Sequence, residues 1–220
     1  GRMREETSTT RLNHSNVFTL DRLNTNKNFE SGLSATLGFD YELEESNKKL
    51  DFSIAQIINE KENPDMPSAS SLDQRFSDVV GHSQLKMNDN IKLNYNFAVD
   101  QNYGQLNYNE LGANLDFNPI QFDINYLQEK EHVGDQEYFK GKIDFAPNEY
   151  ALFSAETKRN LITNSAEYYN LSYEYTNDCL RAGLVYRREF YNDSELEPED
   201  SLMFKITLTP FGNINSPSFN

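Results

Sequence analysis

His82-Ser83 is the first place where this chain could do covalent chemistry: a histidine base next to a serine nucleophile would suit a hydrolase built on a strand. A histidine base also needs an orienting group and an oxyanion donor. The pair by itself reads as a loop or strand-face histidine with no catalytic role. His14 and His132 sit in polar stretches and are expected to be solvated. The carboxylates of Glu44-Glu45 and of the acidic stretch 193–200 are the hard oxygen ligands that Ca²⁺ favours, but their spacing is not that of an EF-hand loop. Cys179 is the single cysteine, so no internal disulfide framework forms, and one thiol with three scattered histidines builds no zinc site. No catalytic group, metal or cofactor is expected.

Basic residues are the remaining chemical groups. The chain has 20 Lys+Arg against 35 Asp+Glu, a net charge of -15 and a pI near 4.6. Nucleic-acid binding relies on clustered Lys and Arg that release counterions from phosphate, so this balance excludes it. Mean hydropathy is -0.77, and the longest apolar runs are four-residue pieces such as Tyr150 to Phe153, far short of the ~18 that a membrane helix needs. Fifteen Phe and thirteen Tyr argue against disorder. Asn is heavily used, at 27 residues. Residues 1–11 are polar and lack a signal-peptide pattern.

Strict alternation organises the rest. Between 33 and 43, Leu33, Ala35, Leu37, Phe39, Tyr41 and Leu43 oppose Ser34, Thr36, Gly38, Asp40 and Glu42, the period of a strand whose two faces meet different media. The segment 91–100 repeats it, with Ile91, Leu93, Tyr95, Phe97 and Val99 against Lys92, Asn94, Asn96 and Asp100. Clear copies lie at 120–126, 139–145, 169–176, 180–187 and 202–208, and weaker ones at 50–58, 79–87, 106–117 and 149–157. A phase slip near Asn109 to Leu111 suggests a bulge. Eleven strands and no helix are expected.

The connections are sorted by length. Tight ones, at 45–48, 88–90, 118–119, 147–148 and 176–178, alternate with longer ones at 61–78, 101–104, 131–135, 160–164 and 192–200. An up-and-down barrel in an outer membrane has this arrangement, with short periplasmic turns and longer external loops. Alternation alone leaves open which face is outside: a soluble β-sandwich adhesion module or a small ligand-binding barrel buries the apolar face, whereas a membrane barrel turns it to lipid. The loop sorting favours an all-β, antiparallel, transmembrane barrel. Bacterial single-chain barrels have even strand numbers, so eleven suggests part of a larger one. On that reading residues 1–29 form a polar external segment, 30–210 the barrel portion and 211–220 a periplasmic tail. The polar face carries Lys92, Asn94, Asn96, Asp123, Lys140, Lys142, Arg181 and Arg187 into a wet lumen, and Leu93, Phe97, Phe122, Ile124, Phe204 and Ile206 face lipid. The lumen cations could touch phosphorylated sugar or pair with carboxylates across strands, the second being favoured. A general porin is the alternative membrane function.

Three stretches resemble the C-terminal part of the lipopolysaccharide-assembly LptD family, of the alphaproteobacterial type. Asn16-Val17-Phe18-Thr19-Leu20-Asp21-Arg22, followed by Glu30-Ser31-Gly32, is similar to its N-[LV]-F-x-L-[ND]-R loop motif. Ser71-Leu72-Asp73-Gln74-Arg75-Phe76-Ser77-Asp78-Val79-Val80-Gly81 resembles S-G-L-x-x-R-x-S-D-x-V-G, with Ser71 where the family has Gly. Tyr173 to Arg188 resembles the penultimate hairpin, with Cys179 at the second position of a cysteine pair and Asp178 at the first. The resemblance implies a non-enzymatic outer-membrane translocon for lipopolysaccharide, a plug lipoprotein of the LptE kind in the lumen, and an LptA-like periplasmic bridge reached through an N-terminal domain. It also implies lateral opening between the barrel's first and last strands and an interdomain disulfide from Cys179 to a partner outside this chain.

Overall fold

The computed structural model describes residues 12–19, 22, 32–67, 70–130, 135–190, 199–208 and 212–215. The strands stand where the alternation places them: β1 (Ser34–Glu45), β2 (Lys48–Asn59), β3 (Val79–Met87), β4 (Ile91–Val99), β5 (Leu106–Phe117), β6 (Ile120–Glu129), β7 (Gln136–Asn148), β8 (Ala151–Asn160), β9 (Ser165–Thr176), β10 (Leu180–Glu189) and β11 (Glu199–Leu208). A short β12 (Gly212–Asn215) follows, within the stretch expected as tail. The order in the sheet is the order in the chain, each strand hydrogen-bonded to the next. By contact the chain divides into two compact units, 1–112 with 127–137 and 113–126 with 138–220.

Turn chemistry explains the tight connections. Ser46 and Asn88 take the left-handed conformation, at φ 33° and 56°, which two- and three-residue hairpin turns require and which Asn tolerates. Asn148 and Asn177 close theirs through the side chain: Asn148 Oδ1 accepts from the Tyr150 and Ala151 amides, and Asn177 Oδ1 from those of Cys179 and Leu180. At the other end of the sheet the connections are longer, from 161–164 up to 60–78.

Register then sorts the side chains. In the first unit Leu37, Phe39, Tyr41 and Leu43 lie opposite Gln56, Ile54, Phe52 and Leu50. These β1 side chains form an apolar face with no covering layer among the described residues: Leu37 is 62% and Phe39 58% exposed. The opposite face of the same strands is covered. Leu12, Val17 and Leu72, from the segments 12–22 and 70–78, are buried, as are Ile57, Val80, Ala98 and Tyr108 from the strands. The core of this unit is therefore built by loops folded onto the polar face, and burial stabilises each large apolar side chain in it by about 1.5–3 kcal/mol. In β5 the consecutive residues Asn107 and Tyr108 are both buried.

The second unit has the same division of faces. Phe139, Ile143, Phe145, Phe153, Leu171, Leu184 and Phe204 are all exposed on the apolar side. A soluble sandwich or small ligand-binding barrel would bury these residues; here the apolar half of the pattern is the bare half. The pairing of β8 with β9 shifts register between Lys158 and Arg159, so that Glu167 is an extra residue on β9. A bulge of this kind sets two neighbouring side chains toward one side of the sheet, and Glu167 reaches Lys158.

Candidate functional site: a loop-covered polar face

The first motif works as a clasp. Asn13 Oδ1 accepts from the amides of Ser15 and Asn16, and Asn16 Nδ2 donates to the Arg22 carbonyl. Arg22, 8% exposed, donates through Nε to the Val17 carbonyl at 3.1 Å and through Nη2 to Thr36 Oγ1 on β1 at 3.1 Å. The guanidinium thus ties the loop to itself and to the sheet. Gly38 completes the seat, because a Cβ there would fall 2.4 Å from the Phe18 ring. Leu20, Asp21, Glu30 and Ser31 of this motif lie outside the described residues.

The second motif is a buried hydrogen-bonded lock. Ser77 Oγ accepts from the Ile57 amide at 2.9 Å and donates to the Asp78 carbonyl at 2.8 Å. Ser71 Oγ accepts from the Asp78 amide at 3.0 Å. Asp78 in turn accepts from Asn107 Nδ2 at 2.9 Å. Ser71 sits at φ 59°, the left-handed region that favours glycine. That conformation accounts for the glycine expected there, and Ser71 occupies the position while adding a hydrogen bond. Gly81 closes the motif on the apolar face, where the Phe97 ring fills the space a Cβ would need, at 2.2 Å.

Between these loops and the sheet lies a polar network. Tyr108 Oη donates to Glu110 Oε2 at 2.7 Å, Asn96 Nδ2 donates to the same oxygen at 3.1 Å, and Asn96 Oδ1 lies 2.6 Å from His82 Nδ1. A carboxylate only accepts, so Asn96 turns its amide nitrogen to Glu110 and its oxygen to His82. Nδ1 of His82 therefore carries the proton. The His14 ring stacks on His82 at 4.4 Å and 16°. Burial, with the His82 ring beside it as the second cause, holds the His14 pKa below its ordinary value, and Glu110 offsets part of this. Ser83 pairs with Phe52 and Tyr95 on the apolar face, opposite to His82, so no hydrolase pair exists.

In the second unit, cations and carboxylates share the polar face. Lys140 Nζ lies 3.1 Å from Glu156, Lys142 Nζ 2.6 Å from Asp144, Arg181 2.9 Å from Glu174 and Arg187 2.5 Å from Glu189. Tyr168 donates to Glu156, and the Arg187 guanidinium lies 4.3 Å over the Tyr168 ring. Lys158 pairs with Glu167 at 2.7 Å and caps the Tyr138 ring at 4.4 Å. Four of the five cations singled out in the sequence are thus paired, and Lys92 lies exposed with Asp89 in its field. Asn94 packs over Gly112, and Asp123 accepts from Asn114. Among the described residues no cluster of His, Cys, Asp and Glu could hold a metal. His132 and acidic residues 193–198 lie outside the described set. Such a face offers many hydrogen-bond donors and acceptors and little unbalanced charge.

Residues 4–147 match the family described as LptD, LPS transport system D. The chain belongs to the LptD family. It is accordingly a non-enzymatic transport β-barrel chain of the outer membrane that handles lipopolysaccharide. Both loop motifs fall inside the matched range, and the hairpin carrying Cys179 falls beyond it. No curated protein matches the chain. Among LptD features that sequence reasoning missed, Arg22, Thr36, Ser77 and Asn107 matter most. Arg22 and Ser77 stand in the two quoted motifs, but their roles depended on loops folding back onto the sheet.

Proposed function

We propose that these strands form part of the wall of a lipopolysaccharide translocon, with the loop-covered polar face toward the lumen and the bare face toward lipid. On this reading Lys92, Asn94, Asn96, Asp123, Lys140, Lys142, Arg181 and Arg187 line the passage, and Leu93, Phe97, Phe122, Ile124, Phe204 and Ile206 contact acyl chains. A plug lipoprotein of the LptE kind occupies the lumen, and an LptA-like bridge delivers substrate through a periplasmic domain. Cys179, exposed in the β9–β10 turn, forms the disulfide to that domain, which the oxidising periplasm permits. Residues 1–29 serve as an external segment, 30–210 as the barrel portion and 211–220 as the periplasmic tail.

The observation that carries this reading is the inversion of the faces: large apolar side chains are bare in both units, and in the first unit loops cover the polar face. Cysteines placed one at a time from Lys140 to Phe145, in a Cys179→Ser background, test it. In outer-membrane vesicles a water-soluble maleimide should label alternate positions, 140, 142 and 144. Uniform labelling, or labelling of 141, 143 and 145 instead, would reject the assignment.

A further inference from the structure

The apolar face of the second unit is not evenly bulky. Gly141 pairs with Thr157, and Ala155 lies between Ile143 and Leu171, so three small side chains meet on two neighbouring strands. Phe139, Ile143, Tyr169 and Leu171 stand around them, leaving an apolar hollow of about 330 Å³. A second hollow, of about 420 Å³, shares Ile143, Ala155 and Leu171 with the first and continues toward the tight turns between Phe145, Phe153, Tyr173 and Leu184. Together they make a groove running along the strands.

Its dimensions and its end groups point to one occupant. Phe139 to Phe145 spans six residues, about 20 Å at ~3.3 Å each; with strands tilted ~40° the groove descends about 15 Å, half of a ~30 Å hydrocarbon core. It opens at the end with the tight turns, which face the periplasm in such barrels. There the two turns are joined by the Thr176 amide donating to the Tyr150 carbonyl at 2.8 Å. In the first turn the exposed Glu149 carboxylate is hydrogen-bonded by the Tyr150 hydroxyl; in the second, Asp178 is exposed beside Asn177, whose Nδ2 donates to Tyr175 Oη at 3.3 Å. The Tyr150 and Tyr175 rings lie 6.5 Å apart. Carboxylates and aromatic faces attract an ammonium group and repel phosphate-rich headgroups.

We propose that this groove holds one acyl chain of a phospholipid of the periplasmic leaflet, with an ammonium headgroup seated against Glu149 and Asp178. The site rests on the apolar face being the lipid face. It is continuous with that face and differs from its surroundings in depth and in the charge at its mouth.

Native mass spectrometry of the full chain, extracted from its own outer membrane in mild detergent, tests the proposal. The wild type should retain one phospholipid with an amine headgroup, and so should Ala35→Phe, which adds bulk to the exposed apolar face of β1 in the first unit. Ala155→Phe and Gly141→Leu should lose it, and so should the gentler Ala155→Leu if the larger substitution blocks folding. Glu149→Gln with Asp178→Asn should abolish the headgroup preference while retaining a lipid. Retention unchanged by groove filling, equal loss from Ala35→Phe, or lipopolysaccharide as the retained species would overturn the site. A bimane label at Leu171→Cys in a Cys179→Ser background separates the two levels. Quenching by brominated acyl chains without a retained lipid rejects the groove alone; absence of quenching rejects the lipid-facing assignment and the groove with it.

Discussion

Ser71 and His14 show how much the loops depend on single side chains. Ser71 holds a left-handed backbone, which costs a non-glycine residue roughly 1–2 kcal/mol, and supplies the acceptor for the buried Asp78 amide. Ser71→Ala keeps the strain and orphans the amide, so it should destabilise by about 1–3 kcal/mol. Ser71→Gly relieves the strain while losing the acceptor, and should stay within about 1 kcal/mol of the wild type; denaturation of the two variants in detergent distinguishes them. Burial, with the neighbouring His82 second, lowers the His14 pKa. Its folded pKa lies below the unfolded 6.5, so its contribution to docking is fully present above pH 6.5 and is lost as pH falls through the folded value. Protease cleavage in segment 12–22 should therefore rise between pH 7.5 and 5, and His14→Phe should flatten that rise. A pH-independent cleavage rate in the wild type would contradict this. Cross-strand pairing was expected for the lumen cations: Lys140 and Arg181 pair so, with Glu156 and Glu174, whereas Lys142 and Arg187 reach Asp144 and Glu189 two residues along their own strands. The roles of Arg22 and Ser77 were not legible in the sequence, because both depend on loops that return to the sheet from outside it.

At the scale of elements, the faces are held in register by size. Gly81 on β3 lies directly opposite Phe97 on β4, whose ring occupies the missing side chain's place. Gly81→Val should destabilise by about 1–3 kcal/mol through overpacking, and adding Phe97→Ala should recover much of that loss. A double-mutant cycle on heat-modified gel migration measures the coupling, and additive effects would refute it. Strand positions could be read from the sequence because both faces alternate strongly over most of their length. The bulge at Glu167 could not be, since Glu156 to Asn160 is a polar run with no apolar residue to mark a change of phase. β12 is four residues long and too short to show a period.

For the whole molecule, sorted connections were visible in the sequence, whereas the identity of the outward face was not: i, i+2 alternation reads the same from inside and outside. In the first unit, bare Leu37 and Phe39 against buried Val17 and Ile57 show which side lacks a partner among the described residues. The proposed lumen face and the β9–β10 turn then set the prediction for Cys179. In cells, the full-length protein should migrate differently with and without reductant, and Cys179→Ser should remove that difference. If the shift persists in the serine variant, the disulfide engages other residues and the role assigned to Cys179 falls.

The order of strands in the sheet has a last consequence. Every strand bonds to its neighbours in the chain, from β1 to β12, so no pairing depends on a distant segment arriving first. Loop-closure cost is then small at each step, and pairing information stays local. The unit of inheritance in such a wall is the hairpin: two strands with one tight turn can be added or removed as a block. The rest keeps its facing, its turn polarity and the side on which its loops emerge. A single strand cannot be exchanged in this way, since its loss would carry every later connection to the wrong side of the membrane. Descent with change by whole hairpins would lengthen or shorten the wall while leaving the two loop motifs above β1–β5 untouched.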